Sequence, residues 1–244
     1  MFVRLPVALL PAVALLAALP ACSGQPAPPA VTHRVTTPAT TTTEGAPNLL
    51  WQTPPARVWP TLVRAVANAK SVHVTGQFIE GGGSFDLDVR LQGRDAAECT
   101  LTGRSIGTIT AKWLAGTVYL KGDARALERF LPPGAAAGTV AGSWRIRPLR
   151  PGDPLVARLY LTAEAVMGLG RANELYAGYK TRAGPGGLRD YQNGDGQPHY
   201  HVPVLGEPRP ASMDRTSDER GVHLLFDYDE PWTVSPPPEA FVPA

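Results

Sequence analysis

The sequence predicts an α+β protein: a wide, strongly curved antiparallel β-sheet with a few helices covering its concave face. Three observations carry this. From residue 71 onward the hydrophobic period is two rather than 3.6 in one run after another. The separations between these runs are short, which suits antiparallel neighbours in a meander. Only three stretches show helical signals. A sheet this wide cannot stay flat, because strand twist curls it. A curled sheet with an apolar interior is one way in which β proteins build ligand cavities.

The chain begins with a different kind of segment. Arg4 is the one charge in residues 1–21, and an apolar run extends from Leu5 to Ala21. A basic start, an apolar run and small residues at its end form a secretory signal. The run is shorter than the ~20 residues a membrane span needs, and Pro6, Pro11 and Pro20 interrupt it. Its ending, Leu19-Pro20-Ala21-Cys22, looks like a bacterial lipobox. Signals of that kind place a diacylglycerol on the Cys thiol and are cut just before it. The expected organisation is a signal peptide at 1–21, a tether at 22–48 and one domain at 49–244. Cys22 is the expected lipid attachment site, which would hold the protein on the outer face of the cell membrane. Each buried acyl methylene contributes ~0.8 kcal/mol, so two or more chains anchor stably.

The tether is rich in Pro, Ala and Thr, as in Gln25-Pro26-Ala27-Pro28-Pro29 and Thr40-Thr41-Thr42-Thr43. Such residues bury too little apolar surface to fold. The tract suits an O-glycosylated stalk and a plain spacer equally. Some 25 residues reach about 28 Å as a coil and up to ~80 Å as polyproline II.

Losing residues 1–21 removes Arg4 alone among the charged residues, which lowers the formal net charge from +2 to +1. That balance argues against nucleic acid as a partner and gives no electrostatic reason to bind anionic lipid. The hydrophobic fraction of 43% permits a real core. With Cys22 lipidated only Cys99 remains, so no internal disulfide forms and Cys99 reads as a buried structural thiol.

The folded body opens with an amphipathic helix at 56–69, carrying Val58, Leu62, Val63 and Val66. A strand at 71–78 puts Val72, Val74 and Phe78 on one face. After Gly81-Gly82-Gly83, the residues Phe85, Leu87, Val89 and Leu91 alternate with Asp86, Asp88 and Arg90, which completes a hairpin. Further strands are expected at 98–103, 106–114 and 117–121. A short helix at 124–131 stops at Pro132-Pro133, and a short strand covers 143–147. Asp153-Pro154 opens a third helix, with Leu155, Leu159, Ala163, Val166 and Met167 on its apolar face. Strands return at 175–181, 188–192, 199–204 and 221–228, with Asn193-Gly194-Asp195-Gly196 as a turn. Pro231 to Ala244 reads as a Pro-rich extended tail.

Four pieces of this body resemble actinobacterial lipoproteins of the LppX/LprG type, which share the LolA/LolB-like half-barrel fold. They are Lys70–Gly76, Gly116–Gly122 with Asp123 after it, Tyr200–Pro210, and Leu225–Pro237. With the lipobox they span almost the whole chain in the family's order. The resemblance implies a half-barrel carrier without catalytic activity that holds an acylated lipid or lipoglycan and transfers or presents it. The alternative is an envelope interaction or regulatory lipoprotein of the same fold with a filled pocket. An envelope transporter would suit the first as partner. Arg182–Gln197 and Pro210–Gly221 depart from the pattern, being more charged and Gly-rich than strand edges of that family.

The residues expected to line a cavity are Val72, Val74, Phe78, Phe85, Leu87, Val89, Ile109, Trp113, Val118 and Leu120, closed from the helix side by Leu159, Val166 and Met167. Burying ten methylenes at ~0.8 kcal/mol each suffices for binding. Each of these residues, taken singly, also suits a plain core. His199 and His201 face the same way on a strand, and His223 would lie nearby, a pattern that raises the question of a metal. No Cys, Asp or Glu stands at matching spacing in the sequence, and a solvated strand face is the better reading. Asp227-Tyr228-Asp229-Glu230 lacks calcium-loop spacing and reads as charges at a turn edge. The five Trp residues read as core packing rather than as sugar platforms. No Gly-x-Ser-x-Gly elbow, Ser-x-x-Lys set, His-Glu-x-x-His pair or phosphate loop occurs, and no enzyme, metal or cofactor is expected.

Overall fold

A computed structural model describes residues 45–80, 83–93, 96–104, 107–130, 142–148, 174–180, 187–192, 198–217, 220–238 and 242–243. Cys22, the segment through Glu44, and the expected helix from Asp153 with Leu159, Val166 and Met167 lie outside the described residues.

After a 3-10 turn at Leu50–Gln52 comes helix α1, Pro55–Ala67. Pro55 stands at its first position, where the missing N–H costs nothing. Val58, Leu62, Ala65 and Val66 recur at helical spacing and are its buried face. Five strands follow in a meander: β1 Ser71–Glu80, β2 Gly83–Gln92, β3 Ala96–Gly103, β4 Gly107–Leu114 and β5 Thr117–Gly122. Helix α2, Ala124–Phe130, starts because Asp123 caps it: Oδ1 accepts from Ala126 N at 2.9 Å, while Oδ2 accepts from Thr108 N at 2.8 Å. The same carboxylate fixes Gly107. That residue has φ +78°, and a Cβ there would sit 1.8 Å from Asp123 Oδ2. The remaining strands are β6 Arg145–Pro148, β7 Tyr176–Lys180, β8 Leu188–Gln192, β9 His199–Pro203, β10 Ser212–Ser217, β11 Arg220–Tyr228 and β12 Val242–Pro243.

Among the described residues the twelve strands form one open sheet in the order β12-β6-β5-β4-β3-β2-β1-β11-β10-β9-β8-β7. Its pairings are antiparallel except β12 with β6, which is parallel. Two elements differ from the expectation. β10 lies inside Pro210–Gly221, where Met213 is the apolar residue in a polar run, so no alternation signals a strand. The tail contributes β12, only two residues long and containing Pro243.

Register makes one face continuous. Tyr191, Tyr200, Met213, Leu224, Gly76, Leu87, Leu101 and Ile109 are successive partners across eight strands from β8 to β4. A parallel row runs Phe226, Val74, Val89, Cys99, Ala111, Leu120. Every side chain in both rows is buried, and both helices pack on this face: α1 through Val58, Leu62 and Val66, α2 through Ala126 and Leu127. Trp59 of α1 meets Tyr200 with ring centroids 5.3 Å apart. A sheet of this width twists and curls over the side it buries.

Gly76 is the one residue in the longer row without a side chain. Its φ is +154°, and a Cβ there would come within 2.0 Å of the His223 carbonyl oxygen. Such a close approach of β1 to β11 is open only to Gly, and Gly within a strand marks a bend.

The opposite face is polar, as alternation requires. Thr100 and Thr110 face each other at 3.3 Å, Thr102 and Thr108 at 3.2 Å, and Gln77 donates to Asp86 at 2.6 Å. Lys112 lies 3.6 Å from Glu98.

Candidate functional site

The sequence-predicted cavity residues converge. Val72, Val74, Phe78, Phe85, Leu87, Val89, Ile109, Val118 and Leu120 all belong to a single buried cluster on the inner face, and Trp113 packs partly buried against it. Phe78 and Phe85 are register partners whose rings stack at 5.0 Å. The helix-side candidates Leu159, Val166 and Met167 lie outside the described residues.

Sequence reasoning missed half of this face. Tyr191, Tyr200, Val202, Met213, Leu224 and Phe226 extend it through β8–β11. A signal for part of it exists in the alternation of His199-Tyr200-His201-Val202, where the histidines are the more conspicuous residues. Burial pushes the pKa of the Tyr191 hydroxyl up to about 12 and lifts Tyr200 further above the usual phenol range, so both stay neutral.

The face is apolar but holds specific polar groups. Trp113 Nε1 is buried and meets no acceptor. It stands beside Val118 on β5 and Ala97 on β3. At the other flank Arg189 donates from a terminal nitrogen to Gly178 O at 3.2 Å, and its guanidinium lies 5.8 Å from the Trp51 ring. The Nε of Arg189 is buried without a partner. Buried donors are ordinarily satisfied, so these positions would welcome an oxygen from a bound molecule. Trp51 itself is 49% exposed, which corrects the expectation that all five Trp residues are core. Its ring is held by Arg189 rather than by the interior.

A polar clamp joins the start of β1 to the end of β11 in the middle of the sheet. Arg209 donates through Nε to Ala65 O at 3.0 Å, pairs with Glu207 at 2.6 Å and with Asp229, and lies over the Tyr228 ring. Asp229 also accepts from Lys70 N at 2.7 Å, and Ser71 Oγ donates to Glu230 O at 2.6 Å. The acidic turn edge around Asp229 thus ties β1, β11 and α1 together.

Cys99 is fully buried, as expected, and burial raises its thiol far above the ordinary range. His199 and His201 do share the outer face, yet each is already engaged by a carboxylate. His199 Nδ1 lies 3.0 Å from Asp190, and His201 Nε2 lies 2.9 Å from Asp214. The sequence reading missed these acids because they arrive from neighbouring strands. Among the described residues no group of three or more His, Cys, Asp or Glu is disposed to hold a metal ion. Among them, too, no helix is long and apolar enough to cross a membrane.

No protein-family model matches the sequence, and no curated protein matches it. Solved structures do resemble the fold. LprF from Mycobacterium bovis superposes with a TM-score of 0.46 at 12% identity, over 76% of this chain and 99% of that one. The Mycobacterium tuberculosis lipoprotein LppX gives 0.43 at 13% identity, over 72% and 95%. An uncharacterised conserved protein from Thermus thermophilus gives 0.37 at 9% identity, over 75% and 97%.

Proposed function

We propose that the chain is a lipoprotein, anchored outside the cytoplasm through Cys22, that binds an acylated lipid or lipoglycan against the inner face of its curled sheet. The observation that carries this is the register row from Tyr191 to Ile109, apolar at every position but Gly76 and flanked by buried donors without protein acceptors at Trp113 and Arg189. Acyl chains need only apolar area, at ~0.8 kcal/mol per methylene. Ester or headgroup oxygens would satisfy the two donors. The tether gives the domain reach from the membrane, so transfer or presentation of the lipid, to an envelope transporter or another acceptor, follows as the task. Nothing in the site suggests chemistry on the ligand.

A second reading has its own support. Val74, Val89, Ile109, Val118 and Leu120 are each 0% exposed. Residues so completely covered also suit a filled core, and the protein would then act through its surface on an envelope partner.

The test is native mass spectrometry of the full chain from a lipoprotein-processing host, with lipid extraction in parallel. A co-purified acylated lipid that Trp113→Phe binds more weakly supports the carrier. Lipid-free protein on repeated preparation establishes the filled core instead. Membrane fractionation of Cys22→Ala tests the anchor, and unchanged membrane retention would overturn it.

A further inference from the structure

Behind the inner face of β8–β11 lies an arrangement of imidazoles and carboxylates that lipid binding does not use. Asp190 of β8 stands directly opposite His201 of β9. Asp214 of β10 stands opposite His223 of β11 and His199 of β9. The side chains bridge diagonally as well. His201 Nε2 lies 2.9 Å from Asp214 Oδ2, Asp214 Oδ1 takes His223 Nδ1, and Asp190 Oδ2 takes His199 Nδ1 at 3.0 Å. Carboxylate and imidazole thus alternate across four strands.

His201 is the centre of this ladder. Its Nε2 faces a carboxylate, which only accepts, so Nε2 carries a proton. Its Nδ1 is buried and meets no partner, and neither does the buried Oδ1 of Asp190. These two orphans belong to residues that the register pairs directly. With one proton on the ring, Nδ1 is a lone pair beside a carboxylate: two buried acceptors, both unsatisfied. With a second proton, Nδ1 becomes a donor, and Asp190, the register partner of His201 on β8, holds an acceptor without a partner. One proton, directly or through a water, then satisfies both groups. Leaving such a pair unmade costs more than making it gains.

We propose that His201 is a proton-operated clasp, which as imidazolium bridges Asp190 and Asp214 and locks β8, β9 and β10 together, and as neutral imidazole releases them. The groups facing it are Asp190 from β8, Asp214 from β10, His199 on its own strand, and His223 of β11 beyond Asp214. Arg189 and Arg215 of these strands alternate onto the opposite face, so neither cation competes there. The hydrogen bond to Asp214, with the charges of Asp214 and Asp190, holds the imidazolium against the cost of burial and raises its pKa above the ordinary value. The sign follows from that direction. The stabilisation is complete below the unfolded pKa of about 6.5 and is lost as pH rises through the higher folded value. The same strands carry Tyr191, Tyr200 and Met213 on their inner side. A consequence for bound lipid therefore rests on the reading above, while the clasp itself does not.

The test uses the full chain. Imidazole 15N chemical shifts followed against pH report the His201 midpoint and the state of each ring nitrogen. The expected midpoint lies above that of an ordinary histidine, with both nitrogens protonated below it. Amide exchange in β8–β10, corrected for intrinsic rates, should report more frequent opening once pH exceeds that midpoint. The increase is about tenfold where the midpoint stands about one pH unit above the ordinary value. Asp190→Asn keeps the shape, removes the charge and should lower the midpoint. His201→Gln should make β8–β10 exchange indifferent to pH. Should His201→Gln fail to fold, the parent titration and Asp190→Asn decide. A His201 midpoint at or below the ordinary value, or β8–β10 exchange that ignores pH in the parent protein, overturns the clasp. Lipid-free protein with a normal clasp would overturn the carrier reading alone.

Discussion

Gly76→Ala is the sharpest test of the curled sheet. Gly76 sits at the middle of the longest inner row, between Leu224 on β11 and Leu87 on β2. An added Cβ would stand 2.0 Å from the His223 carbonyl oxygen and 2.9 Å from Leu224 Cα. Both are backbone atoms of a central strand, so no side chain can swing aside. β1 and β11 must separate locally. Losing about two ladder hydrogen bonds at ~1 kcal/mol each, plus backbone strain of ~1–3 kcal/mol, gives a destabilisation of roughly 3–5 kcal/mol. For a domain of this size that lowers Tm by roughly 6–20 °C. Gly93→Ala is the control. It too has positive φ, +58°, yet nothing lies within 4 Å of its Cβ position. It should lose only the ~1–2 kcal/mol of a left-handed non-Gly residue. Thermal melts of both variants by circular dichroism decide. If the two melt alike, the close approach at Gly76 does not hold the bend.

Three further outcomes are expected. Asp123→Ala should destabilise by about 1 kcal/mol, as the loss of a helix N-cap does. Hydrogen bonds from Ala126 N and Thr108 N hold the Asp123 carboxyl below its usual range. Its contribution is therefore present above about pH 4 and lost as pH falls through the folded pKa, so parent and variant melts should converge in acid. Cys99 should resist aqueous thiol reagents until the protein unfolds, and Cys99→Ser should cost about 1–3 kcal/mol for a hydroxyl buried between Val89 and Ala111. Arg209→Lys should lose about 1–3 kcal/mol in chemical denaturation, because an ammonium cannot serve Ala65 O, Glu207 and Asp229 together.

The hairpin Val72–Leu91 was legible because both conditions for reading a strand held there. One face is buried, the other is wet, and the side chains alternate accordingly, as Phe85 to Leu91 against Asp86 to Arg90 show. β10 was not legible because Met213 is its one apolar anchor, and its place is fixed by pairing with β9 and β11 on either side. β12 was not legible because two residues carry no period. Pairing is a tertiary fact, and it overrides local composition. The same holds for the His–Asp ladder. His199 and His201 announced themselves by spacing, but Asp190 and Asp214 lie 9 and 13 residues from their partners, at distances with no periodic signature.

The candidate site shows a different limit. A lipid-binding face and a protein core demand the same residues at the same period, so Val74, Val89 and Ile109 are silent on which they serve. What separates the two is polar. A filled core has no reason to keep a donor it cannot satisfy, since each buried unsatisfied group costs about 1–3 kcal/mol. Trp113 Nε1 and Arg189 Nε are such donors, at opposite flanks of the row. Neither could be recognised from sequence, because whether a Trp or Arg is satisfied depends on acceptors brought from other strands. These two donors therefore favour a ligand more strongly than the apolar residues that first suggested one. Trp113→Phe separates the alternatives. In a filled core it removes an unsatisfied group, leaving stability unchanged or raised; in a carrier it weakens retention of the co-purified lipid while leaving the empty fold intact.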